Sequence, residues 1–276
     1  MPNPVLNLDL SRPRVMAILN ATPDSFYAGS RASNCALVEQ RIREVVSQGA
    51  YMVDIGGCST RPGAEEPSPR EEYERVAMAL EVVRKVAPEM PVSIDTFRAS
   101  VFGRLVEEFG PLCVNDISGG ERDPELVALA AERGLPYVAM HMRGDARTMQ
   151  QLTAYEDVVQ EVVESLSERL NTLREAGIKQ VVLDPGFGFA KSLEQNYRLL
   201  GELHRLVALG APVLAALSRK SMIYRLLETT PDEALMGSVA LQWEALRQGA
   251  TLLRVHDVKE AVDLCRLYEM YKSQNR

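Results

Sequence analysis

The sequence predicts an α/β chain folded as a single-domain (β/α)8 TIM barrel, with long loops after strands one and two. Three observations predict it. Eight short apolar runs each lead into residues able to do chemistry, helical patterns lie between them, and 276 residues is close to the ~250 typical of one such barrel. In that fold the strand C-termini share one face, so polar residues at eight strand ends converge on one mouth. The runs are also nearly all apolar rather than alternating, which suits parallel strands covered on both sides. No linker or internal repeat interrupts them, so residues 1–276 are expected to form one domain.

Residues 1–13 read as a lead-in, a strand pair that closes the barrel floor. VMAIL (15–19) is the first strand and ends at Asn20. The segment TPDSFYAGSRASN (22–34) that follows is too polar and too rich in turn formers for a plain connector; such loops at a barrel mouth are usually binding loops or lids, and this one is expected to be mobile. A helix over 36–49 carries Leu37, Ile42, Val45 and Val46 on one face and stops at Gly49. MVDI (52–55) leads into GGCSTRPGAEEPSP (56–69), a second long loop of the same kind. The helix over 68–88 opens with Ser68 as cap, Pro69 and acids in its first turn, and closes on Arg84 and Lys85 before Pro88. VSI (92–94) ends at Asp95, and LCV (112–114) at Asn115 and Asp116. DPELVALAAERG (123–134) is a helix between an Asp cap and a terminal Gly. YVAM (137–140) ends at His141, and a longer helix spans 157–177. VVL (181–183) ends at Asp184, followed by a helix over 192–210. VLAAL (213–217) ends at Ser218, Arg219 and Lys220, LLRV (252–255) carries Arg254 and ends at His256, and helices over 232–249 and 257–272 complete the chain.

Composition narrows the function classes. Hydrophobic residues are 46% and charged residues 25%, an ordinary globular balance. Lys+Arg 31 against Asp+Glu 38 gives a net charge of −7. That excess of acid speaks against nucleic acid or an anionic membrane as partner, although a local basic cluster can still hold a small anion. No run approaches the ~20 apolar residues of a membrane span. MPNPVLNLDLSRP lacks the basic-then-apolar pattern of a signal peptide. Cys35, Cys58, Cys113 and Cys265 show no paired spacing, which fits reduced thiols in a cytoplasmic protein rather than a disulfide framework or a zinc site.

Several strand-end residues have a plain structural alternative. Asp95 precedes TFRAS and could simply cap a helix; Asp184 precedes Pro185-Gly186-Phe187-Gly188-Phe189, where capping is a poorer explanation. Carboxylates held in a mouth need donors, and a nitrogen heterocycle with amidine-like N–H groups supplies them in pairs. Asn115 offers a donor and an acceptor to the same ring, with Asp116 beside it as cap or support; an Asx turn is the competing reading. Ser218, Arg219, Lys220 and Ser221 place two cations and two hydroxyls on one turn. Loops after strands seven and eight are frequent phosphate sites in such barrels; with Arg254, His256 and Arg61 they would cradle a diphosphate or carboxylate. His141 divides evenly between site and structural roles, and His204 belongs on the surface. Asn20 near an anion suits Mg²⁺, which binds through few protein ligands plus substrate phosphates.

These segments resemble the dihydropteroate synthases across residues 14–271. The motifs are ILNATPDSF (18–26), DIGGCSTRPGAEE (54–66), SIDTF (93–97), NDISGG (115–120), MHMRGDARTMQ (140–150), LDPGFGFAKSLEQN (183–196), LSRKSMI (217–223) and RVHDVKEAVD (254–263). The resemblance implies condensation of 6-hydroxymethyl-7,8-dihydropterin diphosphate with p-aminobenzoate, giving 7,8-dihydropteroate and pyrophosphate. It implies pterin contacts from Asp95, Asn115, Ile117, Met140, Asp184, Phe189 and Lys220. Diphosphate contacts fall on Asn20, Thr60, Arg61, Arg254 and His256, with Mg²⁺ at Asn20. The p-aminobenzoate pocket falls on Phe26, Thr60, Pro62, Phe189, Lys220 and Ser221. Among these, Asp95, Asp184, Lys220 and Arg254 are expected to matter most for catalysis, together with Asp24 as stabiliser of a methylene cation. A homodimer through the later helices is also implied, with Trp243, Met270 and Tyr271 on candidate faces, and so is sulfonamide binding. Against the family pattern, Cys58 stands for a usual Glu, Ala21 for Val, YAGSR (27–31) for a Ser-Asp-Gly-Gly run and Ala190 for a frequent Gly. Two other readings fit a pterin-binding barrel: a methyltetrahydrofolate:corrinoid methyltransferase, which needs no diphosphate cradle, and a non-catalytic binding barrel.

Overall fold

The computed structural model describes residues 6–21, 31–58, 66–145 and 147–275, with 31–34 as backbone alone. Its strands are β1 (Arg14–Asn20), β2 (Met52–Gly56), β3 (Val92–Asp95), β4 (Cys113–Asp116), β5 (Tyr137–Met140), β6 (Val181–Asp184), β7 (Leu214–Ala215) and β8 (Leu252–Val255). All pair in parallel in the order β6-β5-β4-β3-β2-β1-β8-β7. A single parallel bridge, Leu183 to Val213, joins β6 to the start of the β7 segment and brings the sheet round into a barrel. The seventh strand is shorter than its apolar run of 213–217, because only Leu214 and Ala215 find ladder partners, both on β8.

Alternate residues of a strand face opposite sides, and that parity sorts the apolar runs into two cores. Met16, Met52, Cys113, Val138, Val182, Leu214 and Leu252 pack together inside the barrel. Their neighbours, such as Val53, Ile55, Val114, Leu183 and Leu253, face outward into a larger core shared with the helices. Two residues beyond the inner apolar set, the same face carries Asp54, Asn115, Met140, Asp184 and Arg254. The floor is therefore apolar and the mouth is polar on one and the same strand faces.

The lead-in departs from the expected strand pair: residues 6–13 form no strand. Leu8 instead plugs the inner core at 5% exposure. Its backbone is held by Gln180, whose Oε1 accepts from Leu8 N–H at 3.0 Å and whose Nε2 donates to Leu8 O at 3.2 Å. A side-chain amide thus does what a strand partner was expected to do.

The helices are α1 (Arg31–Ser47), α2 (Pro69–Val86), α3 (Ala99–Phe109), α4 (Pro124–Arg133), α5 (Val158–Glu175), α6 (Leu193–Gly201), α7 (His204–Val207), α8 (Ser221–Tyr224), α9 (Leu235–Arg247) and α10 (Val258–Gln274). Ser68 caps α2 in a capping box: its Oγ accepts from Glu71 N–H at 3.3 Å and Glu71 accepts from Ser68 N–H at 2.9 Å. The helix expected over 192–210 is in fact two, α6 and α7, which break after Gly201. The sequence reading leaves 99–109 unassigned, yet α3 forms there. Its N-cap position, Arg98, makes no side-chain cap; the carboxylate of Asp123, a residue 24 positions on, accepts from Ala99 N–H at 2.8 Å. No described helix is long and apolar enough to cross a membrane.

Candidate active site

Asp54 follows Met52 by two positions on β2, so its carboxylate enters the barrel rather than the helix layer. It is fully buried. It accepts from Ser93 Oγ at 2.6 Å, Asn115 Nδ2 at 3.0 Å and Arg254 Nε at 2.7 Å, donors from three other strands. Arg254 Nη2 also donates to Asp95 Oδ2 at 3.1 Å. An ionised carboxylate only accepts, so Asn115 has to meet Asp54 with its NH₂ group, and its carbonyl oxygen is turned away from that bond as an open acceptor. Asp54 was absent from the expected site residues. The available signal was a carboxylate inside the apolar run MVDI, a placement that is rare unless it is paired.

Asp95 and Asp184 end β3 and β6. Burial pushes the Asp95 carboxyl up to about 7, opposed by Arg254 and reinforced by Asp54, Glu72 and Asp116. Burial also raises Asp184, opposed by the Gly186 N–H, which donates to Oδ1 at 2.8 Å, and by Lys220 and Arg254. Neither carboxylate caps the helix that follows it. Lys220 sits at the N-cap position of α8, and its ammonium lies 4.4 Å from the centre of the Phe189 ring. Burial lowers Lys220 to about 8, with Asp184 pulling the other way. Ser221 begins α8 beside it.

Parity separates the neighbours Asn115 and Asp116. Asn115 faces the barrel axis, whereas Asp116 accepts from Ser118 N–H and Oγ, Gly120 N–H and the Tyr137 hydroxyl, at 2.8, 2.7, 2.5 and 2.6 Å. Asp116 is thus the Asx turn that builds the 117–120 loop. That loop carries the half-buried Ile117 and meets the end of β5 at Gly119, where a Cβ would lie 3.0 Å from Met140 O.

The expected four-residue cluster at 218–221 divides. Arg219 is not part of an anion cradle: its guanidinium is held by Asp257 at 2.7 and 3.0 Å and by Asp232 at 3.3 Å. Its backbone is left-handed, with φ 55°, so that Arg219 turns away while Lys220 turns in. Ser218 Oγ lies 3.2 Å from His256 Nδ1 and accepts from His256 N–H at 3.2 Å. His256 stands at the rim; desolvation of its ring and the nearby Arg254 cation keep its pKa below the ordinary value. Asn20 ends β1 beside Gly56, half-buried.

His141 is buried and serves structure, 3.1 Å from the Nζ of Lys191, a second buried cation that the sequence reading did not single out. Burial pushes the Cys58 thiol up to about 11, with Glu72 and Glu66 adding to the shift, so Cys58 is a poor nucleophile. Ala190 has φ 48°, a left-handed backbone that suits the glycine the resemblance implies at its place. Asp24, Phe26, Thr60, Arg61 and Pro62 lie outside the described residues. A groove of about 720 Å³ at the opposite end of the barrel, lined by Arg14, Tyr51, Met90 and Cys265, contains none of the strand-end polar residues.

A carboxylate array with one open amide acceptor and two cations suits a flat, donor-rich heterocycle carrying an anionic tail. Known proteins agree with that description. The family model described as pterin binding enzyme matches residues 16–256. A dihydropteroate synthase of Synechocystis sp. is 42% identical over 259 residues, 93% of this chain and 89% of its own length. The dihydropteroate synthase of Escherichia coli K12 is 42% identical over 265 residues, 95% of this chain and 93% of its own. The solved dihydropteroate synthase of Xanthomonas albilineans with 4-aminobenzoic acid superposes with a TM-score of 0.87 at 40% identity, covering 96% and 95% of the two chains.

Proposed function

This chain belongs to the dihydropteroate synthases among the pterin-binding enzymes, and from that premise we propose how its residues divide the work. The enzyme is a transferase that condenses 6-hydroxymethyl-7,8-dihydropterin diphosphate with p-aminobenzoate, releasing pyrophosphate and forming 7,8-dihydropteroate. The observation that carries the assignment of roles is the buried array in which Asp54 binds Asn115 and Arg254 while Arg254 also binds Asp95.

Asp95 and Asp184 accept from the ring N–H and amino groups of the pterin, and the carbonyl oxygen of Asn115 accepts from the same edge. Ile117, Met140 and Phe189 form apolar walls. Arg254 has Nε and Nη2 occupied by Asp54 and Asp95, which leaves Nη1 for the diphosphate. His256 and Asn20 stand on the same rim, and a bound anion raises the His256 pKa towards the cationic form. Thr60 and Arg61 are assigned to the diphosphate from the sequence motif, Phe26, Thr60 and Pro62 to p-aminobenzoate, and Asp24 to the cation. Phe189, Lys220 and Ser221 complete the p-aminobenzoate side.

In the reaction the C–O bond between the pterin methylene and the diphosphate breaks, and the electron pair leaves with pyrophosphate. The methylene cation, conjugated with the ring, is stabilised by the nearby carboxylates. The amine nitrogen of p-aminobenzoate attacks it, forming the C–N bond, and then loses a proton to the released pyrophosphate or to water. A neutral aromatic amine needs no activating base, so the residues act through positioning and electrostatics. The donor set at the rim, a lone Asn oxygen with no cluster of three acidic or thiol/imidazole ligands among the described residues, fits a hard cation that takes most of its ligands from phosphate and water. Mg²⁺ held at Asn20 would supply charge neutralisation of the leaving group.

We also assign a homodimer to the face where Leu267 and Met270 are 66% and 65% exposed and Tyr271 packs on Trp243. The test of the functional reading is pyrophosphate release from the dihydropterin diphosphate, with and without p-aminobenzoate and Mg²⁺. Release coupled to dihydropteroate formation, abolished by Asp184→Ala and slowed by Asp24→Asn, is expected. Pterin binding without product would refute it.

A further inference from the structure

Lys191 is a buried cation that the proposed chemistry does not use. It is 6% exposed, and its partners are all neutral: His141 Nδ1 at 3.1 Å, Gly186 O at 3.0 Å and Phe189 O at 3.0 Å. An ammonium has three N–H donors, and these three acceptors use them all. For His141 to accept through Nδ1 its ring must be neutral with the proton on Nε2. Burial, followed by the Lys191 cation, lowers its pKa and keeps it so. No carboxylate bonds to the ammonium; Asp184 nearby opposes the effect of burial, yet burial still lowers Lys191 to about 7, so the contact works against stability unless the three bonds hold something in place.

What they hold is the loop from Pro185 to Ala190. Three of its residues are left-handed, Gly186 at φ 69°, Gly188 at φ 83° and Ala190 at φ 48°; glycine takes that backbone freely, whereas Ala190 needs its surroundings to hold it there. The loop lies directly on the end of β5, since a Cβ at Gly186 would come within 2.1 Å of His141 O. Its other face touches Lys220: a Cβ at Gly188 would lie 3.5 Å from Lys220 Cδ, and the Phe189 ring lies under the Lys220 ammonium. Asp184, by contrast, is held by the β6 ladder and by Gly186 N–H.

We infer that Lys191 is a positioning residue that clamps the 185–190 loop to His141, so that Phe189 and Lys220 keep the geometry of the p-aminobenzoate side of the site. The substrate named here rests on the functional reading above; the clamp itself does not. In Lys191→Met the KM for p-aminobenzoate is expected to rise about tenfold and that for the pterin diphosphate about threefold, with kcat within about twofold, because Phe189 and Lys220 face both substrates while Asp95 and Asn115 stand on other strands. Neither KM moving, or kcat falling with both KM values unchanged, would overturn the inference. His141→Ala removes one acceptor of the three and serves as the second variant if the first does not fold; a rise of about threefold in the p-aminobenzoate KM is expected. Hydrogen exchange of the 186–190 amides, independent of activity, should quicken about tenfold in Lys191→Met, and unchanged exchange there would overturn the clamp. Wild-type chain that makes no dihydropteroate would defeat the functional reading while this exchange result still decides the clamp.

Discussion

Asp54 shows what one residue can decide at this site. As a buried acceptor it sets which way the Asn115 amide turns and spends the Nε of Arg254, so the hydrogen-bonding face shown to a ligand is written by a side chain that need not touch it. Asp54→Asn replaces an acceptor with an amide whose NH₂ must face at least one donor, and leaves Arg254 with Asp95 as its remaining acid. Breaking a buried pair of this kind costs about 3 kcal/mol. A urea titration should show that loss, and kcat/KM should fall by roughly 10²-fold, the scale of losing a preorganised electrostatic contact; unchanged kcat/KM would deny Asp54 its orienting role. The shifted groups also predict a pH profile. Asp95, raised to about 7, is protonated below that pH and cannot accept from the pterin. Lys220, lowered to about 8, loses its charge above it. The kcat/KM for the pterin diphosphate, which reports the free enzyme, should therefore rise through pH 7 and fall above pH 8 as a narrow bell. Lys220→Arg, whose guanidinium stays charged, should remove the alkaline limb even if the maximum is lower; a limb that survives would point to another group.

Elements were legible where their signals are local. The boundaries of β5 and β8 coincide with the apolar runs, and Ser68 marks the start of its helix in the sequence. Helix α3 was not legible, because its cap comes from Asp123 in a different unit. That carboxylate serves two helices, accepting from Ala99 N–H at 2.8 Å and from Glu125 N–H at 3.2 Å at the start of α4. Asp123→Ala should thus cost more than an ordinary cap, about 2 kcal/mol against the typical ~1. Chemical denaturation measures it; a loss of only a few tenths would mean that water replaces the side chain. The left-handed Arg219 was equally hidden, since nothing nearby in sequence announces Asp257 as its partner. As a result a cation that belongs to the scaffold reads, in one dimension, as part of an anion site.

At the scale of the whole molecule, the barrel separates stability from chemistry. Leu8 and the inner apolar layer close the floor, the acids and cations gather at the mouth, and the exposed apolar residues of α9 and α10 lie on the outer wall. Leu267 and Met270 stand near the C-terminal end of α10, away from the strand ends, whereas the start of α9 lies beside the Lys220 turn, where Arg219 N–H donates to Ser238 Oγ at 2.9 Å. Met270→Glu with Leu267→Glu should shift the protein to a monomer in sedimentation while kcat/KM stays within about threefold; an unchanged dimer would move the interface elsewhere. By itself the sequence determined the eight-unit barrel, the strand ends that carry the polar residues and the family, because periodicity, turn residues and contiguous motifs are properties of neighbouring positions. Only the tertiary structure decided that Leu8 plugs the floor without a strand, that Asp54 orients Asn115 and Arg254, that Arg219 turns outward, and that Lys191 holds the loop beside Lys220. Each of those depends on which groups from distant strands meet inside a closed sheet, and in a low-dielectric interior a charge is settled by the partners that reach it rather than by its place in the chain.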